Sequence, residues 1–104
     1  MSMDMGNLGN LMAGIQQRMV AARESASAAE VEGRAGGDLV VVRATGDQRI
    51  VSVRLAAGAH EDPELLEDLI LAATNDALRR SRELMAEKLK EATGGLPLPP
   101  GLGL

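Results

Sequence analysis

The feature that most constrains this chain is an unbroken helical stretch from Pro63 to Ala92. Asp62 is placed to cap its start and Pro63 suits the first turn. Glu64, Glu67 and Asp68 sit where the helix dipole favours anions. Apolar residues recur at Leu66, Leu69, Ile70, Ala73, Ala77, Leu84, Met85 and Leu89. Lys88 and Lys90 fall near the last turns, and Gly94-Gly95 ends the helix. At 1.5 Å per residue such a helix is about 45 Å long. A compact chain of about 100 residues has a radius of gyration near 13 Å. The helix must therefore overhang its own domain, leaving Leu84, Met85 and Leu89 facing water in a monomer. A second copy that covers them is the simplest remedy, so the length predicts a homodimer with twofold symmetry.

A second amphipathic helix runs from about Asn7 to Ala29. From Met12 its apolar positions step through Ile15, Met19, Ala22, Ala26 and Ala29, a seam on one face. Between the helices the period changes. Asp38 to Gly46 is rich in β-branched residues, and Arg49 to Leu55 alternates Ile50, Ser52 and Arg54 against Val51, Val53 and Leu55. Two strands joined by a turn of two or three residues follow. Val31 to Arg34 adds a third strand, with Ala35-Gly36-Gly37 as the turn. The expectation is an α+β fold: helix, three-stranded antiparallel sheet, long C-terminal helix, with one sheet face covered by helix. Residues 1–93 form a single domain. Residues 94–104, Pro- and Gly-rich, form a flexible tail.

Composition narrows function by exclusion. The chain of 104 residues has no Cys, so it has no disulfide, thiolate nucleophile or Cys-ligated metal. It has no Phe, Trp or Tyr, which removes the stacking platforms of RNA and single-strand binders. No apolar run is long enough to span a membrane. Met1 to Met12 lacks the basic segment ahead of an apolar core that marks a secretory signal, so a cytoplasmic protein is expected.

Catalytic readings find little support. His60 is the single His, flanked by Glu61 and Asp62, and reads as an exposed loop residue because no further ligands are in view. Glu64, Glu67 and Asp68 are explained by the helix N-terminus. Ser25, Ser27, Ser52 and Ser81 lack a nucleophile elbow. The Gly6–Gly9 and Gly33–Gly37 stretches are not phosphate loops, since no Gly-Lys-Ser/Thr follows. The Met-rich N-terminus offers an adaptable surface, but the helix seam explains most of it. Asn75 and Asp76 interrupt a small-residue stretch, where they contact a partner helix or the sheet edge, or else face solvent. No enzyme activity, cofactor, metal or small-molecule substrate is expected.

The formal net charge of −4 hides an asymmetry. Residues 61–78 carry six acids and no Lys or Arg, whereas residues 79–104 carry five basic groups against three acids. Arg79, Arg80, Arg82, Lys88 and Lys90 make up that basic block. Spacing alone favours solvated helix-face ion pairs, Glu83 and Glu87 against Arg79 and Lys90. In a dimer the block occurs twice, giving a locally positive surface on an acidic protein.

Four strings, taken in order, resemble the YbaB/EbfC family of bacterial nucleoid-associated proteins. They are Gly6-Asn-Leu-Gly-Asn-Leu-Met12, Gly36-Gly-Asp-Leu-Val-Val-Val42, Leu66-Glu-Asp-Leu-Ile-Leu-Ala-Ala-Thr-Asn-Asp-Ala77 and Leu98-Pro-Pro-Gly-Leu102. The third string and the terminal Leu-Pro-Pro-Gly are the most specific. The resemblance implies a homodimer whose sheets join and whose helices project like tweezer arms. It also implies binding of double-stranded DNA with low sequence specificity, a place at the nucleoid, and roles in nucleoid organisation and gene regulation. The basic residues available on such arms are Arg18, Arg23, Arg79, Arg80, Arg82, Lys88 and Lys90, assigned as DNA contacts from charge and location. The chain departs from its relatives in having only two Lys. The alternative is a protein-interaction scaffold with weak or no DNA binding, resting on the acidic Glu61–Asp68 patch and the apolar tail.

Overall fold

A computed structural model describes residues 5–95. Its elements are α1 (Met5–Ala28), β1 (Glu30–Ala35), β2 (Val40–Thr45), β3 (Ile50–Leu55), a single 3-10 turn (Ala59–Glu61) and α2 (Pro63–Ala92). The strands form one antiparallel sheet in the order β1-β2-β3. This is the α+β order that the sequence predicts. Most of the tail expected over 94–104 lies outside the described residues.

Local chemistry sets the ends of α2. The Asp62 carboxylate accepts from the Leu65 N–H at 3.2 Å, and Pro63 opens the helix. At the other end Gly95 N–H donates to the Lys90 carbonyl at 2.9 Å and Gly94 N–H to that of Glu91 at 3.1 Å. This pair is a Schellman ending, and Gly94 holds the positive φ that it favours just after the cap. The β2–β3 loop is Gly46–Gln48, closed by Thr45 N–H to the Arg49 carbonyl at 2.9 Å, with Gln48 at φ 66°. A three-residue hairpin needs one left-handed position of this kind.

The core lies between α2 and only part of the sheet. Val40, Val42 and Ala44 of β2 meet Ala73 and Ala77 of α2, with Val31, Ala35, Leu66, Leu69 and Ile70 around them. Gly33 of β1 makes the close approach possible: a Cβ there would fall 2.8 Å from the Ala77 Cα. Helix cover therefore ends at β2. All six residues of β3 are exposed, and its alternation does not mark a face buried within the chain. Ile50 and Val51 together oppose Ala44 at a bulge.

α1 packs on the far half of α2 rather than on the sheet. Met19, Ala22 and Leu89 are buried together, with Ile15, Met85 and Ala92 around them. The predicted seam holds from Ile15 to Ala26. It fails at Met12, which is exposed along with Leu8 and Leu11. The reason is length: α1 runs past the end of α2, so its first turns have no helix beside them. The molecule measures 71 × 21 × 17 Å, with a radius of gyration of 19.1 Å. The overhang expected from the length of α2 is present, but its apolar stripe does not face water as expected: α1 of the same chain buries Leu89 and packs on Met85.

The hairpin loop fixes this arm to the sheet. Gly46 N–H donates to the carbonyls of Ala26 at 2.9 Å and Ala29 at 3.2 Å. Ser81 Oγ donates to the Thr45 carbonyl at 2.6 Å and accepts from Gln48 N–H at 2.9 Å. Both helices are therefore tied to one turn, which sets the direction in which they project.

Candidate nucleic-acid interface

Pairing α1 with the far half of α2 sorts the charges into two poles. The arm, residues 5–28 and 79–92, carries seven Arg and Lys against four Asp and Glu. The sheet end, residues 30–78, carries four Arg against ten Asp and Glu. The acidic net charge of the chain therefore belongs to the sheet end, and the arm is a separate basic surface.

Within the arm the predicted residues differ in what they touch. Arg79 donates to Asp76 at 2.7 Å and to Glu83 at 2.7 Å. Arg80 donates through Nε to Asp76 at 3.1 Å. Arg18, Arg82 and Lys90 are exposed and make no ion pair among the described residues. Arg23 is half-buried beside the α1–α2 contact. Lys88 is also half-buried, and at roughly 100° per residue it lies half a turn around α2 from Arg79. Arg79, Arg82 and Lys90 are thus exposed on α2, and Lys88 is turned away from Arg79. Arg80 opens onto a shallow depression beside Val31, Glu32, Glu83, Leu84 and Glu87. Arg18 borders another on α1, with Asn10, Leu11, Gly14, Gln17 and Ala21.

Asp76 is the group that sequence reasoning left undecided. Its Oδ1 accepts from Arg79, and its Oδ2 accepts from Arg80 and, at 3.2 Å, from the Arg34 backbone N–H on the edge strand β1. Arg79 first, then Arg80, holds its carboxyl below the usual carboxylate range. The same contact with Asp76, then the one with Glu83, raises the Arg79 guanidinium. The i,i+3 and i,i+4 spacing of Asp76 to Arg79 and Arg80 was the available signal. Asn75 beside it is exposed.

The other sequence candidates do not assemble into a site. His60 is exposed on the 3-10 turn, and the described residues contain no group of three His, Asp or Glu placed to hold a metal ion. No described helix is long and apolar enough to cross a membrane.

A second surface lies on the sheet. Ile50, Val51, Val53 and Leu55 are each 38–49% exposed along one strand. β3 also presents an open edge, whereas β1 at the other edge lies beneath α2 and gives its Arg34 N–H to Asp76. A row of exposed apolar residues on an unpaired edge is a pairing surface.

Comparison with known proteins agrees with this architecture. The sequence pattern of the YbaB/EbfC DNA-binding family matches residues 1–96. The crystal structure of the uncharacterized protein HP0035 from Helicobacter pylori superposes with a TM-score of 0.76 at 22% identity. The match covers 89% of this chain and 100% of that one, and at this identity it speaks to the fold.

Proposed function

The chain belongs to the YbaB/EbfC DNA-binding family, and on that premise we propose that it is a nucleoid-associated homodimer that grips duplex DNA between basic helical arms. It acts as a binding protein rather than an enzyme, works at the nucleoid in the cytoplasm, and serves nucleoid organisation and gene regulation. The observation that carries this reading is the charge separation: a basic arm on an acidic chain, held away from the acidic sheet end.

The binding mode follows from the groups present. Arg and Lys on helix faces contact phosphates, and no aromatic is available to stack on bases. Affinity is then electrostatic, and any preference comes from DNA shape. Arg18, Arg82 and Lys90 carry unpaired charge to the duplex, with Arg79 and Arg80 behind them. Arg23 and Lys88 contribute field from their half-buried positions. Two arms come from two copies, and the apolar row on β3 with its open edge supports pairing there.

The test is fluorescence anisotropy of a labelled duplex of about 30 base pairs at several salt concentrations. Four to six phosphate contacts per dimer give a log–log slope of roughly −4 to −5. Replacing Arg79, Arg80 and Arg82 together by Ala flattens the slope and leaves the dimer intact. No binding at low salt by a folded dimer overturns the reading. The acidic sheet end, with ten acids against four Arg, then favours a scaffold that recruits a basic protein partner.

A further inference from the structure

We infer that Asp76 is a built-in competitor for DNA phosphate, occupying Arg79 and Arg80 in the free protein and giving them up when the duplex arrives. The inference rests on the DNA-binding reading above and adds a residue that limits affinity. A carboxylate and a phosphodiester each offer two acceptor oxygens to guanidinium groups. Asp76 uses both of its oxygens in this way, one for Arg79 and one for Arg80, at 2.7 and 3.1 Å.

The geometry makes the exchange feasible. Both arginines are about half exposed, so a phosphate reaches them from solvent. Arg80 engages Asp76 through Nε alone. The Asp76 side chain is about one quarter exposed and is held at its back by the Arg34 N–H, so it stays beside the two arginines instead of swinging away. The other acids nearby are engaged elsewhere or more loosely held. Glu83 binds Arg79 only and is 62% exposed, and Glu32 lies within ion-pair distance of Arg34 and Arg43. Among the described residues Asp76 is the one carboxylate that holds both arginines. Each arm therefore meets DNA with a fixed anion already at two of its guanidinium groups.

The experiment compares Asp76→Asn with Glu91→Gln in the full chain, using the same duplex and salt series. Both variants remove one negative charge from α2, but only the first frees the arginine pair. The Asn side-chain oxygen keeps an acceptor for the Arg34 N–H. Asp76→Asn should bind about tenfold tighter at low salt, from two exchanges per dimer of roughly threefold each. Its log–log slope should be steeper than that of wild type, because in the wild-type complex each freed Asp76 carboxylate takes up cation that partly offsets the counterions released from phosphate. Glu91→Gln should tighten binding only slightly and leave the slope unchanged. Circular dichroism and elution volume establish that each variant is a folded dimer. Equal gains from the two variants, or a weaker and flatter Asp76→Asn, overturn the inference while the DNA-binding reading stands. Wild-type protein and both variants all failing to bind overturns that reading itself, and the inference with it.

Discussion

Replacing Gly33 by Ala tests whether the approach of α2 to the sheet is as close as the structure requires. Gly33 pairs with Val42 on β2 and lies directly under α2. A Cβ at this position falls 2.8 Å from the Ala77 Cα and closer still to the Ala73 carbonyl and the Ala77 nitrogen. Carbon atoms rest about 3.5–4.0 Å apart, so α2 must retreat by about 1 Å. The obstacle is helix backbone, which no rotamer change can relieve. A gap of that size forfeits between a quarter and a half of each dispersion contact between Ala73, Ala77 and the valines beneath them. Overpacking typically costs about 1–3 kcal/mol, and immovable backbone puts this site at the upper end. The φ of Gly33 is not positive, so Ala recovers about 0.4–1 kcal/mol through the unfolded chain. The net expectation is a loss of about 2 kcal/mol, or a fall in Tm of roughly 10–15 °C. Urea unfolding must be followed by far-ultraviolet circular dichroism, because the chain has no Trp or Tyr to fluoresce. Protomer concentration is held fixed, since a dimer's stability depends on it. Gly14→Ala is the control: it sits on α1 with nothing within 4 Å, so it should stabilise by about 0.5–1 kcal/mol. A Gly33→Ala midpoint equal to or above wild type would refute the claim that this glycine sets the helix–sheet distance.

Two further outcomes are expected. Val53→Lys, on the 49%-exposed position of β3, should keep the proposed dimer from forming in sedimentation while preserving the helical signal; a variant that still dimerises would place the interface elsewhere. Asp76 should also leave a mark on acid stability. Its carboxyl is held below the usual value by Arg79 and Arg80, so its contribution is fully present above a pH of about 4 and is lost as pH falls through the lowered value. Wild type should exceed Asp76→Asn by about 0.5–1 kcal/mol from pH 5 to 8, the scale of two helix ion pairs. The two should converge in acid, and a gap that widens as pH falls below 4 would contradict this sign.

What could be read from the sequence divides along the range of the interactions involved. The limits of α2 were legible because Asp62, Pro63 and Gly94-Gly95 act on the helix that contains them. The hairpin was legible for the same reason, its β-branched strands and short turn being neighbours. The status of β3 was not, because Val51, Val53 and Leu55 alternate in the same way whether a helix of the same chain or a second chain covers them. The end of cover at β2 is decided by where α2 lies, and Gly33 helps fix that position from two strands away. The basic residues divide similarly. Their types and spacing were plain, but the same spacing allows Arg79 and Arg80 to pair with Asp76 or to reach into solvent. The Arg34 N–H, 42 residues away in sequence, holds the carboxylate where both arginines meet it. The charge-rich face of α2 therefore contains two kinds of arginine. Arg82 makes no ion pair among the described residues, whereas Arg79 and Arg80 are already held by Asp76 and, on the proposed function, reach DNA only by giving it up. A count of positive charges overstates the affinity of such an arm, and the salt slope of the Asp76 variant measures by how much.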